Sequence, residues 1–117
     1  MSQPPSASTA VRGRLRELAV LVRNADYLDP QARQSLADLA DQMADRLRHP
    51  HPVTAEEVEL GQLAGELIAA LHREEGEAPV AARRNRLEEA VIAAETRAPL
   101  VAETARELID VIANLGI

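Results

Sequence analysis

The chain of 117 residues has no cysteine, phenylalanine, tryptophan or lysine, and Tyr27 is its one aromatic residue. Without cysteine there is no disulfide framework, no zinc–thiolate site and no thiol nucleophile. Without aromatics there is no platform on which nucleic-acid bases could stack. All 13 basic residues are arginine, against 19 acids, for a formal net charge of −6. That balance disfavours general DNA or membrane-surface binding. No apolar run approaches the roughly 20 residues of a membrane span. Met1 to Thr9 lacks the basic start and apolar stretch of a secretory signal. The expectations are a cytoplasmic protein with neither a nucleic-acid nor a membrane partner.

What the chain does have is helical periodicity. Hydrophobic residues make up 46%, nearly all aliphatic, and the length suits one domain with a modest core. The polar, proline-containing segment 1–9 reads as a disordered arm, with Ser8 or Thr9 available as a helix cap. Residues 10–117 read as a single domain. Val11, Leu15, Leu18, Val22 and Ala25 recur at alternating steps of four and three and predict a helix over 10–25. Asp29-Pro30 pairs a capping carboxylate with a proline suited to a first helical position. It opens a second helix to about Arg48, striped by Ala32, Leu36, Leu39, Met43 and Leu47. A link this short makes the first two helices an antiparallel hairpin, with Tyr27 and Leu28 over its end.

The stiff segment His49-Pro50-His51-Pro52 separates this hairpin from the next helix. Thr54-Ala55-Glu56-Glu57 is a capping box, with Val53 and Val58 placed as its hydrophobic staple. It opens a third helix to about Glu75. Gly76 suits a left-handed cap and Pro79 a new start, predicting a fourth helix over 79–96. Pro99 breaks or kinks the pattern. A fifth helix follows to Leu115, with Gly116 and Ile117 placed to close it as a Schellman cap. No segment alternates with the period of a strand. The fold class is all-α, an antiparallel bundle of four to five helices joined by short connectors.

Candidate chemistry is sparse. A di-iron bundle needs Glu-x-x-His on facing helices, and no such spacing occurs among His49, His51 and His72. The pairs Glu56-Glu57, Glu74-Glu75 and Glu88-Glu89 point about 100° apart on a helix and cannot share a proton. There is no nucleophile elbow, phosphate loop or dinucleotide fingerprint. Neither a cofactor, a metal nor an enzymatic activity is expected. Two arginine clusters stand out, Arg12-Arg14-Arg16 and Arg83-Arg84-Arg86. The second sits in the first turns of its helix, where positive charge is disfavoured. It is either a site for an acidic partner or is neutralised by Arg84–Glu88 and Arg86–Glu89 pairs.

Two stripes are candidates for an interface. In the third helix Leu60, Leu63, Leu67 and Leu71 run beside a small-residue stripe, Gly61, Gly65 and Ala69. Each glycine costs roughly 1 kcal/mol of helix propensity against alanine. Close helix contact, across a dimer or within the chain, would offset that cost. The C-terminal stripe Val101, Leu108, Ile112 and Leu115 is the second.

The segments Leu15-Arg16-Glu17-Leu18 and Asn24-Ala25-Asp26-Tyr27-Leu28-Asp29-Pro30-Gln31-Ala32-Arg33 resemble the opening hairpin of Domain of Unknown Function 4404, a family of short bacterial proteins. Leu87-Glu88-Glu89-Ala90-Val91, the Pro99 break and the ending Ala113-Asn114-Leu115-Gly116-Ile117 extend the resemblance to about two thirds of the chain. Residues 49–82 look longer than the family's usual middle. The resemblance implies a small helical cytoplasmic protein and transfers no catalytic residue. The functional expectation is a non-enzymatic bundle acting by protein–protein contact, most simply as a homodimer. The alternatives are a bundle holding a small apolar ligand and an acidic regulator of a basic partner.

Overall fold

The computed structural model describes residues 7–48, 54–73 and 76–115. They form five helices: α1 (Ala7–Arg23), α2 (Pro30–Arg46), α3 (Ala55–His72), α4 (Glu77–Ala94) and α5 (Pro99–Ala113). There is no strand among the described residues.

The helix starts follow local chemistry. The Asp29 carboxylate accepts the backbone N–H groups of Gln31 at 3.0 Å and Ala32 at 3.3 Å, and Pro30 opens α2. At α3 the Thr54 hydroxyl accepts the Glu57 N–H at 3.1 Å while the Glu57 carboxylate accepts the Thr54 N–H at 2.9 Å. The expected capping box is therefore complete; the staple residue Val53 lies outside the described residues, as do Gly116 and Ile117. Pro99 breaks the chain rather than kinking it, and α4 and α5 are separate helices.

Two starts differ from the sequence expectation. Helix α1 opens at Ala7, so Ser8 and Thr9 lie inside its first turn instead of capping it, and the rest of the expected arm lies outside the described residues. First-turn N–H groups have no intrahelical partner, so short polar residues are tolerated there. Helix α4 opens at Glu77, placing Pro79 third instead of first. The missing proline N–H is still within that permissive turn. Gly76 immediately before it has φ of 103°, a conformation that favours glycine.

Direction follows from which ends meet. Gly61 lies against Val11, and Gly65 against Leu15 and Leu18. Tyr27, just beyond α1, meets His72 at the end of α3. So α3 runs parallel to α1. The Arg46–Thr104 bond joins the end of α2 to the start of α5, and Arg97 reaches back to Glu56 at the start of α3. The result is an up-down-up-down-up bundle.

Helix α3 is its centre. It touches α1, α2, α4 and α5, and those four are joined around it as α1–α2–α5–α4. Its buried residues include Leu60, Gly61, Ala64, Gly65, Leu67, Ile68, Ala69, Ala70 and Leu71, which occupy the helix circumference except the sector of the exposed Glu59, Gln62 and Glu66. A helix apolar nearly all round belongs inside. The ring is not closed: α1 and α4 make no backbone contact among the described residues. On that side α3 reaches the surface.

Candidate functional site

The gap between α1 and α4 is a groove of about 430 Å³. Its floor is α3, through Gly61, Gly65, Ala69 and the longer Gln62, Glu66 and Arg73. Ala10, Val11, Arg14 and Leu15 form the α1 wall, and Arg83 contributes from α4. The stripe from Gly61 to Ala69 spans about 12 Å along the helix axis.

The two floor glycines do different work. A Cβ on Gly61 would stand 2.6 Å from Leu47 Cδ1 and 2.9 Å from Val11 Cγ1. Leu47 is only 1% exposed and has little room to yield. A side chain at Gly61 would therefore force Leu47 and Val11 to shift, and close packing inside the chain favours glycine there. A Cβ on Gly65 would sit 3.7 Å from Leu18 and 3.8 Å from Leu15, at ordinary contact distance. Nothing within the chain requires glycine there.

The C-terminal stripe lies elsewhere. Val101, Leu108 and Ile112 are at most 2% exposed, as part of the chain's own core. Their apolar surface is covered by the other helices of the same bundle, so they present no seam to a partner. Leu115 is half-buried and lines a different cleft of about 440 Å³ with Tyr27, Leu28, Leu71 and Val80, where the α1–α2 and α3–α4 connections meet. There the Tyr27 hydroxyl is hydrogen-bonded to His72 Nδ1 at 3.0 Å. His49 and His51 lie outside the described residues. No group of three histidine, aspartate or glutamate residues able to hold a metal occurs among the described residues.

Charges sort by face. Between α1 and α2, Arg16 pairs with Asp41 and Asp45, and Arg23 with Asp38 and Asp41. The hydrogen bond to Asp45, then that to Asp41, raises the Arg16 pKa above its ordinary value. At the opposite end of α3, Glu56 pairs with Arg97 at 3.1 Å. Its carboxyl is held below its ordinary 4.5, first by its own backbone N–H and then by Arg97. The expected Arg84–Glu88 and Arg86–Glu89 pairs do not form; among the described residues neither arginine enters an ion pair. Such i,i+3 and i,i+4 pairs are worth only a few tenths of a kcal/mol.

The two sequence clusters thus divide. Arg16 serves the α1–α2 seam, while Arg14 and Arg83 come together in the groove with Arg73. Gln62, Glu66 and Arg73 have no sequence signal that marks them; only the gap in the ring makes them lining residues. No helix among the described residues is long and apolar enough to cross a membrane. No family model, curated protein or solved structure matches this chain.

Proposed function

We propose that this chain is a non-catalytic binding protein that acts through protein–protein contact, most simply with a second copy of itself, and that the α1/α3/α4 groove is its contact surface. The observation that carries the reading is the open side of the ring. The central helix is covered on three sides by its own chain, and on the fourth the exposed Gln62 and Glu66 stand beside the buried Gly61, Gly65 and Ala69. Small residues between longer side chains leave a groove, and groove-docking of a helix is a recurring mode of recognition. The exposed Arg14, Gln62 and Glu66 give the groove a polar rim.

Light scattering over a dilution series tests the reading, comparing the wild type with Gly65→Leu, which places a large side chain on the groove floor. The expected result is a mass that rises with concentration in the wild type. Gly65→Leu should remain monomeric while keeping its helical circular dichroism. A wild-type monomer throughout contradicts self-association.

A second reading rests on the cleft lined by Leu28, Leu71, Val80 and Leu115. It has room for a small apolar ligand, and a rise in melting temperature with decan-1-ol, abolished by Val80→Glu, supports it. An unchanged melt counts against it.

A further inference from the structure

The cleft where the α1–α2 and α3–α4 connections meet differs from the groove in its chemistry. Arg14, Arg73 and Arg83 line the groove. Among the described residues that line the cleft there is no base, and its two charged side chains are the carboxylates of Asp29 and Glu77. Its apolar side is made by Leu28, Leu71, Val80 and Leu115. Tyr27, the one aromatic residue of the chain, lines it too and is 41% exposed.

Both carboxylates have acceptor capacity to spare. Asp29 caps α2 through Oδ1 alone, which takes the N–H groups of Gln31 and Ala32. Neither Asp29 nor Glu77 enters an ion pair among the described residues. Glu77 stands in the first turn of α4, where negative charge is favoured. The two come from different elements, and only the fold brings them to one cleft. The Tyr27 hydroxyl is hydrogen-bonded to His72 Nδ1 at 3.0 Å, and the two rings meet in a tilted contact. With its hydroxyl engaged, Tyr27 offers a ligand its ring.

We infer that the cleft binds an organic cation, an ammonium group carrying a short apolar chain. This inference rests on the cleft's holding an apolar ligand and adds the head group. Small-molecule sites of this size bury an apolar body and fix its orientation with a few polar groups. Here the chain lies against Leu28, Leu71, Val80 and Leu115. The ammonium is placed by Asp29, Glu77 and the Tyr27 ring. A cation gains from the carboxylates and from the aromatic face together. A ligand carboxylate would meet two like charges and, among the described lining residues, no base. The net charge of −6 also raises the local concentration of cations, a pull that is not specific to the cleft.

The test titrates hexyltrimethylammonium, hexan-1-ol and hexanoate into the chain and follows the amide NMR signals of Leu28, Leu71 and Val80. The cation is expected to bind about fivefold to tenfold more tightly than the alcohol, and hexanoate most weakly. In Asp29→Asn/Glu77→Gln that preference should fall to about twofold or less while hexan-1-ol binds as before. Asparagine keeps the α2 cap, so the variant retains its fold, checked by circular dichroism. Tyr27→Leu should weaken the cation about threefold more than the alcohol. Equal binding of cation and alcohol, or a preference undiminished in either variant, overturns the cation assignment and leaves an apolar cleft standing. Cation-induced shifts spread over the acidic surface and absent from the cleft overturn it as well. No shift in the cleft with any of the three ligands overturns both.

Discussion

Three alanine substitutions at glycines separate the packing account from simple helix propensity. Replacing glycine by alanine inside a helix gains about 1 kcal/mol, whatever the surroundings. At Gly13 on the exposed face of α1 nothing lies within 4 Å of the new Cβ. The full gain is expected there, raising the melting temperature by about 4 °C for a domain of this size. At Gly65 the new methyl meets Leu18 and Leu15 at 3.7 and 3.8 Å, so most of the gain should survive. At Gly61 the methyl would stand 2.6 Å from Leu47 Cδ1. Inserting a methylene into a tight core costs about 1–3 kcal/mol. That equals or exceeds the propensity gain, and Gly61→Ala is expected to destabilise by up to about 2 kcal/mol.

Urea unfolding followed by circular dichroism measures all three. A double-mutant cycle sharpens the result. In a Leu47→Ala background the nearer clash is gone and only the 2.9 Å approach to Val11 Cγ1 remains, so Gly61→Ala should destabilise less, with a coupling of about 1–3 kcal/mol. If Gly61→Ala stabilises the wild type as much as Gly13→Ala does, α3 does not pack against Leu47 and Val11 as described and the argument for a central helix fails.

Other consequences follow from single contacts. Thr104 is the one buried polar residue of the described core, and its hydroxyl accepts from Arg46 Nε at 2.8 Å while donating to the Leu100 carbonyl at 3.1 Å. Thr104→Val strands the half-buried guanidinium and should cost about 1–3 kcal/mol by urea unfolding, whereas Thr104→Ser should cost less. Arg16→Ala removes two partly exposed ion pairs, and its cost of about 0.5–2 kcal/mol at low salt should shrink in 1 M NaCl. Glu56 has a depressed carboxyl pKa, so its contribution is present above the ordinary value of 4.5 and lost as pH falls through its lower, folded value. Glu56→Gln should therefore lower stability at neutral pH and flatten the acid limb of the stability–pH curve. An unchanged acid limb would refute the role of the Glu56 contacts.

The helices were legible because local signals agreed with the periodic ones. The Asp29-Pro30 start, the Thr54–Glu57 box and the Pro99 break each place a helix end where the apolar stripe also changes. What the sequence left open was which face each stripe meets. Val101, Leu108 and Ile112 form a stripe that serves a dimer seam or a chain interior equally well; the topology decides for the interior. The small stripe of α3 was visible, but only the missing contact between α1 and α4 turns it into a groove floor. The convergence of Arg14, Arg73 and Arg83 joins positions far apart in the chain, and no local spacing encodes it.

The absence of native cysteine allows a direct measurement of the central claim. A single cysteine at Gln62, exposed on the groove floor, is compared with one at Glu89 on the outer face of α4. Each is modified by a maleimide while unlabelled wild-type chain is added. The account predicts that Gln62→Cys becomes progressively protected and that Glu89→Cys does not. Equal reactivity of both at every concentration would show that nothing enters the groove, and would contradict it.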